Sequence, residues 1–146
     1  MAIWQYCLII VPKKSIQKDY NCIFANNKTE FLPETEELWS KSDLNIQEII
    51  HQIDKLIKRG SWIDENFIGW KGEKDKNEDN DCHISLDKES KKITEFILRI
   101  DLRKESNISV VLKEMLRICK NNELLLFNIK GKIMEPKIEI IIEDIK

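Results

Sequence analysis

The sequence predicts an α+β fold: an antiparallel sheet with two helices on one face, in the ferredoxin-like βαββαβ order, with long loops and a C-terminal helix. Three observations carry this. Apolar side chains recur at helical spacing over 46–57 and 108–119, alternate at period two over 82–87 and 96–103, and run continuously over 3–11 and 124–129. In chain order these stretches read strand, helix, strand, strand, helix, strand and then a tail, the split βαβ arrangement in which both helices cover one sheet face. A chain of 146 residues buries about two-thirds of its extended surface, which supplies one core and predicts a single domain over residues 1–146.

Residues Ile3 to Val11 are aromatic and branched with a single polar side chain, and Pro12 ends the run, so a central strand is expected. Residues 13–42 show no sustained period, and a short strand is expected near Cys22 to Ala25. Apolar positions 46, 49, 50, 53, 56 and 57 span an arc of about 120° at 100° per residue. Asn45 followed by Glu48 has capping-box spacing, and Gly60 suits the left-handed position after the last turn.

The run Glu-Lys-Asp-Lys-Asn-Glu-Asp-Asn-Asp at 73–81 holds no apolar residue and predicts a mobile loop. Beyond it, Cys82, Ile84 and Leu86 alternate with polar residues, as do Phe96, Leu98 and Ile100, which predicts a hairpin around 88–92. Pairing Ile84 with Phe96 and Cys82 with Leu98 keeps both apolar sets on one face, whereas a one-residue slip buries Glu95. Ser106 or Asn107 can cap the second helix, which should stop at Asn121-Asn122. Leu124 to Ile129 reads as a strand and 130–132 as a turn. Residues 138–145 fit a helix through Ile138, Ile141, Ile142 and Ile145 and a strand through Ile138, Ile140 and Ile142; helix is preferred.

Composition excludes several classes. The 24 Lys+Arg against 26 Asp+Glu leave a net charge of −2, without the basic excess of a general nucleic-acid or anionic-membrane binder. The Ile- and Lys-rich, Ala-poor usage reads as an AT-rich, bacterial genome. No signal peptide or membrane span is expected, so the location is read as cytoplasmic, with Cys7, Cys22, Cys82 and Cys119 as free thiols. The four glycines form no Rossmann or P-loop pattern, and the nucleophile elbow is absent. His51 lies outside the apolar arc of its helix, and His83 is on the opposite strand face from Cys82, so neither forms a Cys/His pair. No enzyme activity, cofactor or metal is expected.

One polar constellation stands out. Arg99, Asp101 and Arg103 share a strand face beside Asp81, His83, Ser85 and Asp87 of the neighbouring strand. It reads either as a charge-paired solvated face or as a contact surface whose arginines meet a carboxylate or phosphate. Trp39, Trp62 and Trp70 flank the first helix and read as packing residues or, where exposed, as partner anchors. Glu73, Asp75, Glu78, Asp79 and Asp81, with the acidic stretch 30–37, would form a rim attracting a cationic partner.

Trp4-Gln5-Tyr6, Ser61-Trp62, Trp70 with Gly72, Asp81-Cys82, the run Arg99 to Arg103 and Cys119 ahead of Asn122 together resemble small bacterial proteins of the polymorphic-toxin immunity type. The resemblance implies a cytoplasmic protein that masks a toxin domain of basic surface by occluding its active surface, and it carries no assigned functional residues. The alternative is a ferredoxin-like domain that binds a small anion through Arg99 and Arg103 on an open sheet face, or that pairs an edge strand with a second copy of itself as a homodimer.

Overall fold

The computed structural model describes residues 2–16, 35–62 and 64–146, and six strands in them form one antiparallel sheet. These are β1 (Gln5–Pro12), β2 (Phe67–Lys71), β3 (Asp81–Leu86), β4 (Ile93–Asp101), β5 (Leu124–Phe127) and β6 (Ile133–Met134), in the spatial order β2-β3-β4-β1-β5-β6. Four α-helices lie among the described residues: α1 (Glu36–Trp39), α2 (Ile46–Asp54), α3 (Lys113–Asn121) and α4 (Ile138–Ile145). None is long and apolar enough to cross a membrane. The expected strand at Cys22 to Ala25 and the acidic residues at 30–34 lie outside the described residues.

β1 is central because both of its faces are apolar, leaving no side of the strand suited to water. Leu8 and Ile10 join Cys82 and Ile84 of β3, Phe96, Leu98 and Ile100 of β4, and Leu126 of β5 in one buried cluster. Ile49 and Ile53 of α2, Met115 and Cys119 of α3 and Ile141 of α4 complete it. Each Leu or Ile removed from water there contributes about 1.5–3 kcal/mol. The alternate residues Ile9, Val11, Leu125 and Phe127 form a second cluster against Ile16, Leu38 and Ile133, and Cys7 and Ile97 are buried beside them. The expectation of an open sheet face is therefore corrected over β1 and β5. The polar side chains of that face lie over β2, β3 and β4, with Gln5 at the start of β1 beside them.

The hairpin pairs as the apolar pattern requires, Ile84 with Phe96 and Cys82 with Leu98, with an irregularity between Ser85 and Leu86. Asn45 caps α2, accepting from the Glu48 amide at 3.3 Å, while the Glu48 carboxylate accepts from Gln52 instead of closing a capping box. Gly60 is not a left-handed cap. It lies extended and donates its amide to the Gly69 carbonyl at 2.8 Å, because the chain after α2 runs back along the edge of β2.

The second predicted helix also differs from its expectation. Neither Ser106 nor Asn107 caps it: the chain is already helical there, and Asn107–Leu112 forms a π-helical turn that runs into α3. The extra residue per turn places Asn107 and Leu112, five apart, on the buried side together. α3 ends at Asn121 as expected, and 138–145 is helical. The edge strands β2 and β6 and the single turn α1 complete the sheet and its cover without a sequence period of their own.

Candidate functional site

The β3–β4 half of the polar face is a chain of paired polar and charged side chains. Arg99 Nη1 donates to Asp81 Oδ1 at 3.0 Å, and Lys71 of β2 approaches Asp81 Oδ2 at 3.9 Å. His83 Nε2 lies 2.5 Å from Glu95 Oε1, and the Phe67 ring stacks on the imidazole with centroids 5.3 Å apart. Gly69 makes room for that ring, since a Cβ at Gly69 would sit 2.9 Å from Phe67 Cε1. The His83 hydrogen bond holds the Glu95 carboxyl below its ordinary value, outweighing the effect of burial. The structure thus brings together Asp81 with Arg99 and Asp101 with Arg103, as the strand pattern implies. It gives His83 a partner, Glu95, that the pattern had placed only as a residue to keep out of the core.

Segment 73–81 is tied down rather than mobile. Gly72 donates its amide to the Asn80 carbonyl at 2.7 Å, Lys74–Lys76 forms a 3-10 turn, and Asn77 is left-handed at φ 59°. The fully buried Asp101 carboxylate accepts from the Asp79 amide at 2.9 Å, from the Arg103 amide at 2.9 Å and from the Arg103 guanidinium at 2.7 Å. Asp79 accepts from Trp4 Nε1 at 3.0 Å and Lys71 Nζ at 2.5 Å, and Gln5 Nε2 reaches the Asp79 carbonyl at 2.7 Å and Asp81 Oδ2 at 2.9 Å. Burial works to raise the Asp79 and Asp101 carboxyls, but these donors outweigh it and hold both below the ordinary value.

Asn107 closes the far side. Its Nδ2 donates to the Asn77 and Asp101 carbonyls at 2.7 and 2.9 Å, and its Oδ1 accepts from Asn80 Nδ2 at 3.0 Å.

This geometry corrects several expected site residues. Asp79 is buried and Asp81 is largely covered, so they fix the loop to the sheet and do not form a rim, and Asp101, expected on a contact surface, is buried beneath the loop. Arg103 is spent on Asp101 and stacks on Trp4, 4.0 Å from the ring centroid, which withdraws it from an anion site. Arg99 keeps a buried Nε without a partner. Glu73, Asp75 and Glu78 remain accessible, but Lys76 and Lys104 pair with Glu73 at 3.1 Å and Glu78 at 2.6 Å. The loop is close to locally neutral.

Trp39 and Trp70 take the packing alternative and are not partner anchors. They are 0% and 1% exposed, Trp39 packing on Phe96 and Trp70 donating to Asp54 Oδ1 at 2.7 Å, because large aromatics fill the space where loops close over a sheet. Trp62 is the exception at 69% exposed. It sits in sequence between the bridge of Arg59 to Trp70 and the bridge of Asp64 to Phe67, both at β2.

The three described thiols are poor nucleophiles: burial pushes Cys119 up to about 12, and raises Cys7 and Cys82. Among the described residues no group of three His, Cys, Asp or Glu side chains could hold a metal ion. Gln5, Trp4, Asn80 and Asn107 were not read as site residues because their partners lie more than 20 positions away in the chain and leave no local period. Comparison with protein-family models, curated proteins and solved structures found no match for the chain.

Proposed function

We propose that this chain is a cytoplasmic bacterial binding protein that acts without catalysis, as an immunity protein occluding the active surface of a toxin domain. The observation that carries the reading is Trp62: an indole 69% exposed, in a protein where Trp39 and Trp70 are buried, is the kind of side chain that dominates interface energies. The pinned carboxylates and raised thiols support it further, since side chains committed to holding a rigid surface favour recognition over turnover.

The fold is read as ferredoxin-like at its centre. The inner order β3-β4-β1-β5 supports this, with α2 following β1 and the helix of α3 following β4, and β2 and β6 added at the edges. The small-anion alternative is disfavoured by the commitment of Arg103 to Asp101.

The test is affinity capture from the native bacterium with wild-type and Trp62→Ala protein. The expected result is one stoichiometric partner, the C-terminal domain of a large secreted protein, which is toxic when expressed alone and neutralised by co-expression of this chain. Trp62→Ala should weaken its binding by about 2 kcal/mol, near thirtyfold in Kd, with unchanged stability. Capture of only the protein itself, or a partner that is harmless alone, overturns the reading.

A further inference from the structure

We propose that α4 is a latched strap: it undocks from the sheet as a unit while β1 and β4 stay paired, and Asp144 is the latch. Taken alone, the segment has little to hold it helical. It is eight residues long, and isolated helices shorter than about 12–15 residues are marginal in water. Five of the eight are β-branched isoleucine, and Lys137 at the cap makes no side-chain hydrogen bond. Glu139 suits the first turn, but Glu143 and Asp144 stand at the other end, where the helix dipole disfavours anions. The same residues fit a strand through Ile138, Ile140 and Ile142. The helix therefore depends on its docking.

That docking is slight. Ile141 is the one side chain of α4 that is buried, whereas α3, one residue longer, buries four. Ile138, Ile140 and Ile145 are only partly covered where they meet the same apolar cluster, to which Leu126 of β5 and Met134 of β6 belong. The polar hold is a single carboxylate. Asp144 accepts from the Tyr6 hydroxyl of β1 at 2.5 Å and from Asn128 Nδ2 at 3.0 Å, and Lys132 Nζ lies 3.9 Å away. Burial works against the anion, but Tyr6, Asn128 and Lys132 outweigh it and keep the carboxyl below its ordinary value.

The connection to the sheet is a natural hinge. Only Glu135, Pro136 and Lys137 separate β6 from α4, and the Lys137 amide turns back onto the Glu135 carbonyl at 2.8 Å. Proline has no amide to donate, so no hydrogen-bonded ladder runs from β6 into the helix. One apolar anchor and one polar node, on a segment with little helical preference of its own, describe a unit that opens at a lower free energy than the sheet.

The closing experiment is native-state amide hydrogen exchange of the full chain at low urea concentrations, on wild type, Asp144→Asn, Tyr6→Phe and Asp101→Ala. The expected result is that the amides of 141–145 exchange through one common opening, more frequent and less urea-dependent than the opening that exposes β1 and β4. Asp144→Asn should raise that opening about tenfold or more, the scale of a hydrogen bond to a charged group, and Tyr6→Phe, which keeps the ring, should act in the same direction. Asp101→Ala loosens contacts that stay intact when only α4 opens, so it should quicken β1 and β4 while leaving the rates of 141–145 as they are. Exchange of 141–145 together with β1 and β4, a rise there with Asp101→Ala, rates graded residue by residue from the helix end, or no response to either latch variant overturns the proposal.

Discussion

A carboxylate with no exposed surface persists as an anion only where donors surround it, and Asp101 has them: two backbone amides and a guanidinium whose carbon also rests on the Trp4 ring. Asp101→Ala leaves the Asp79 and Arg103 amides unpaired, each at a cost of about 1–3 kcal/mol. Urea unfolding should show a loss of roughly 2–4 kcal/mol, and hydrogen exchange should quicken across 73–81 before it does elsewhere. An unchanged midpoint would show that water replaces the carboxylate without loss. Asp144 does similar work at the other end of the sheet, accepting from Tyr6 at 2.5 Å and from Asn128 at 3.0 Å, and so fastens α4 to β1 and to the turn after β5.

Between elements, close approach decides what composition leaves open. Gly72 and Gly60 both lie on extended chain near β2, yet their environments differ. The Cβ of an alanine at Gly60 would meet the Gly69 carbonyl at 3.5 Å, an ordinary contact, whereas at Gly72 it would strike the Glu78 carbonyl at 2.0 Å. Thermal or urea unfolding should therefore find Gly72→Ala destabilised by about 1–3 kcal/mol, the usual range for overpacking, and Gly60→Ala within about 0.5 kcal/mol of wild type. Equal effects would mean that the loop has no fixed seat on the sheet. The π-helical turn belongs to the same scale. It arises where the inward demands of Asn107 and Leu112 cannot both be met at 3.6 residues per turn.

Across the whole molecule, pH acts through buried and partly buried acids of two kinds. Asp79, Asp101, Asp144 and Glu95 lie below their ordinary values of 3.8 or 4.5 in the folded chain. The stability they contribute is complete above those values and is lost as pH falls through the lowered folded ones. The thiols of Cys7, Cys82 and Cys119 lie above their ordinary 9.0 when folded, so their contribution is complete below 9.0 and is lost as pH rises past it. Unfolding free energy should form a plateau across neutral pH, falling below about pH 4 and above about pH 9. A decline already under way between pH 5 and 6 in the acid direction would contradict the assignment of these carboxylates.

The residues by themselves determined the central strand, the two long helices and the pairing of the β3–β4 hairpin, because each depends on a period that one chain segment carries alone, whereas 138–145 fits both periods and is helical only in the fold. Period two also placed Arg99, Asp101, Asp81 and His83 on one face. Only the tertiary structure decided which of these were available. The acidic run 73–81 reads as solvated because it has no apolar residue, yet Asp101, Gln5 and Asn107 lie 20 or more positions away and supply the partners that bury Asp79 and Asn80. Trp39, Trp62 and Trp70 are alike as letters in loops, and they separate into core and surface by what packs on each of them. Partners far apart in sequence have no local signature, so burial and charge pairing emerge only when the sheet brings those segments together.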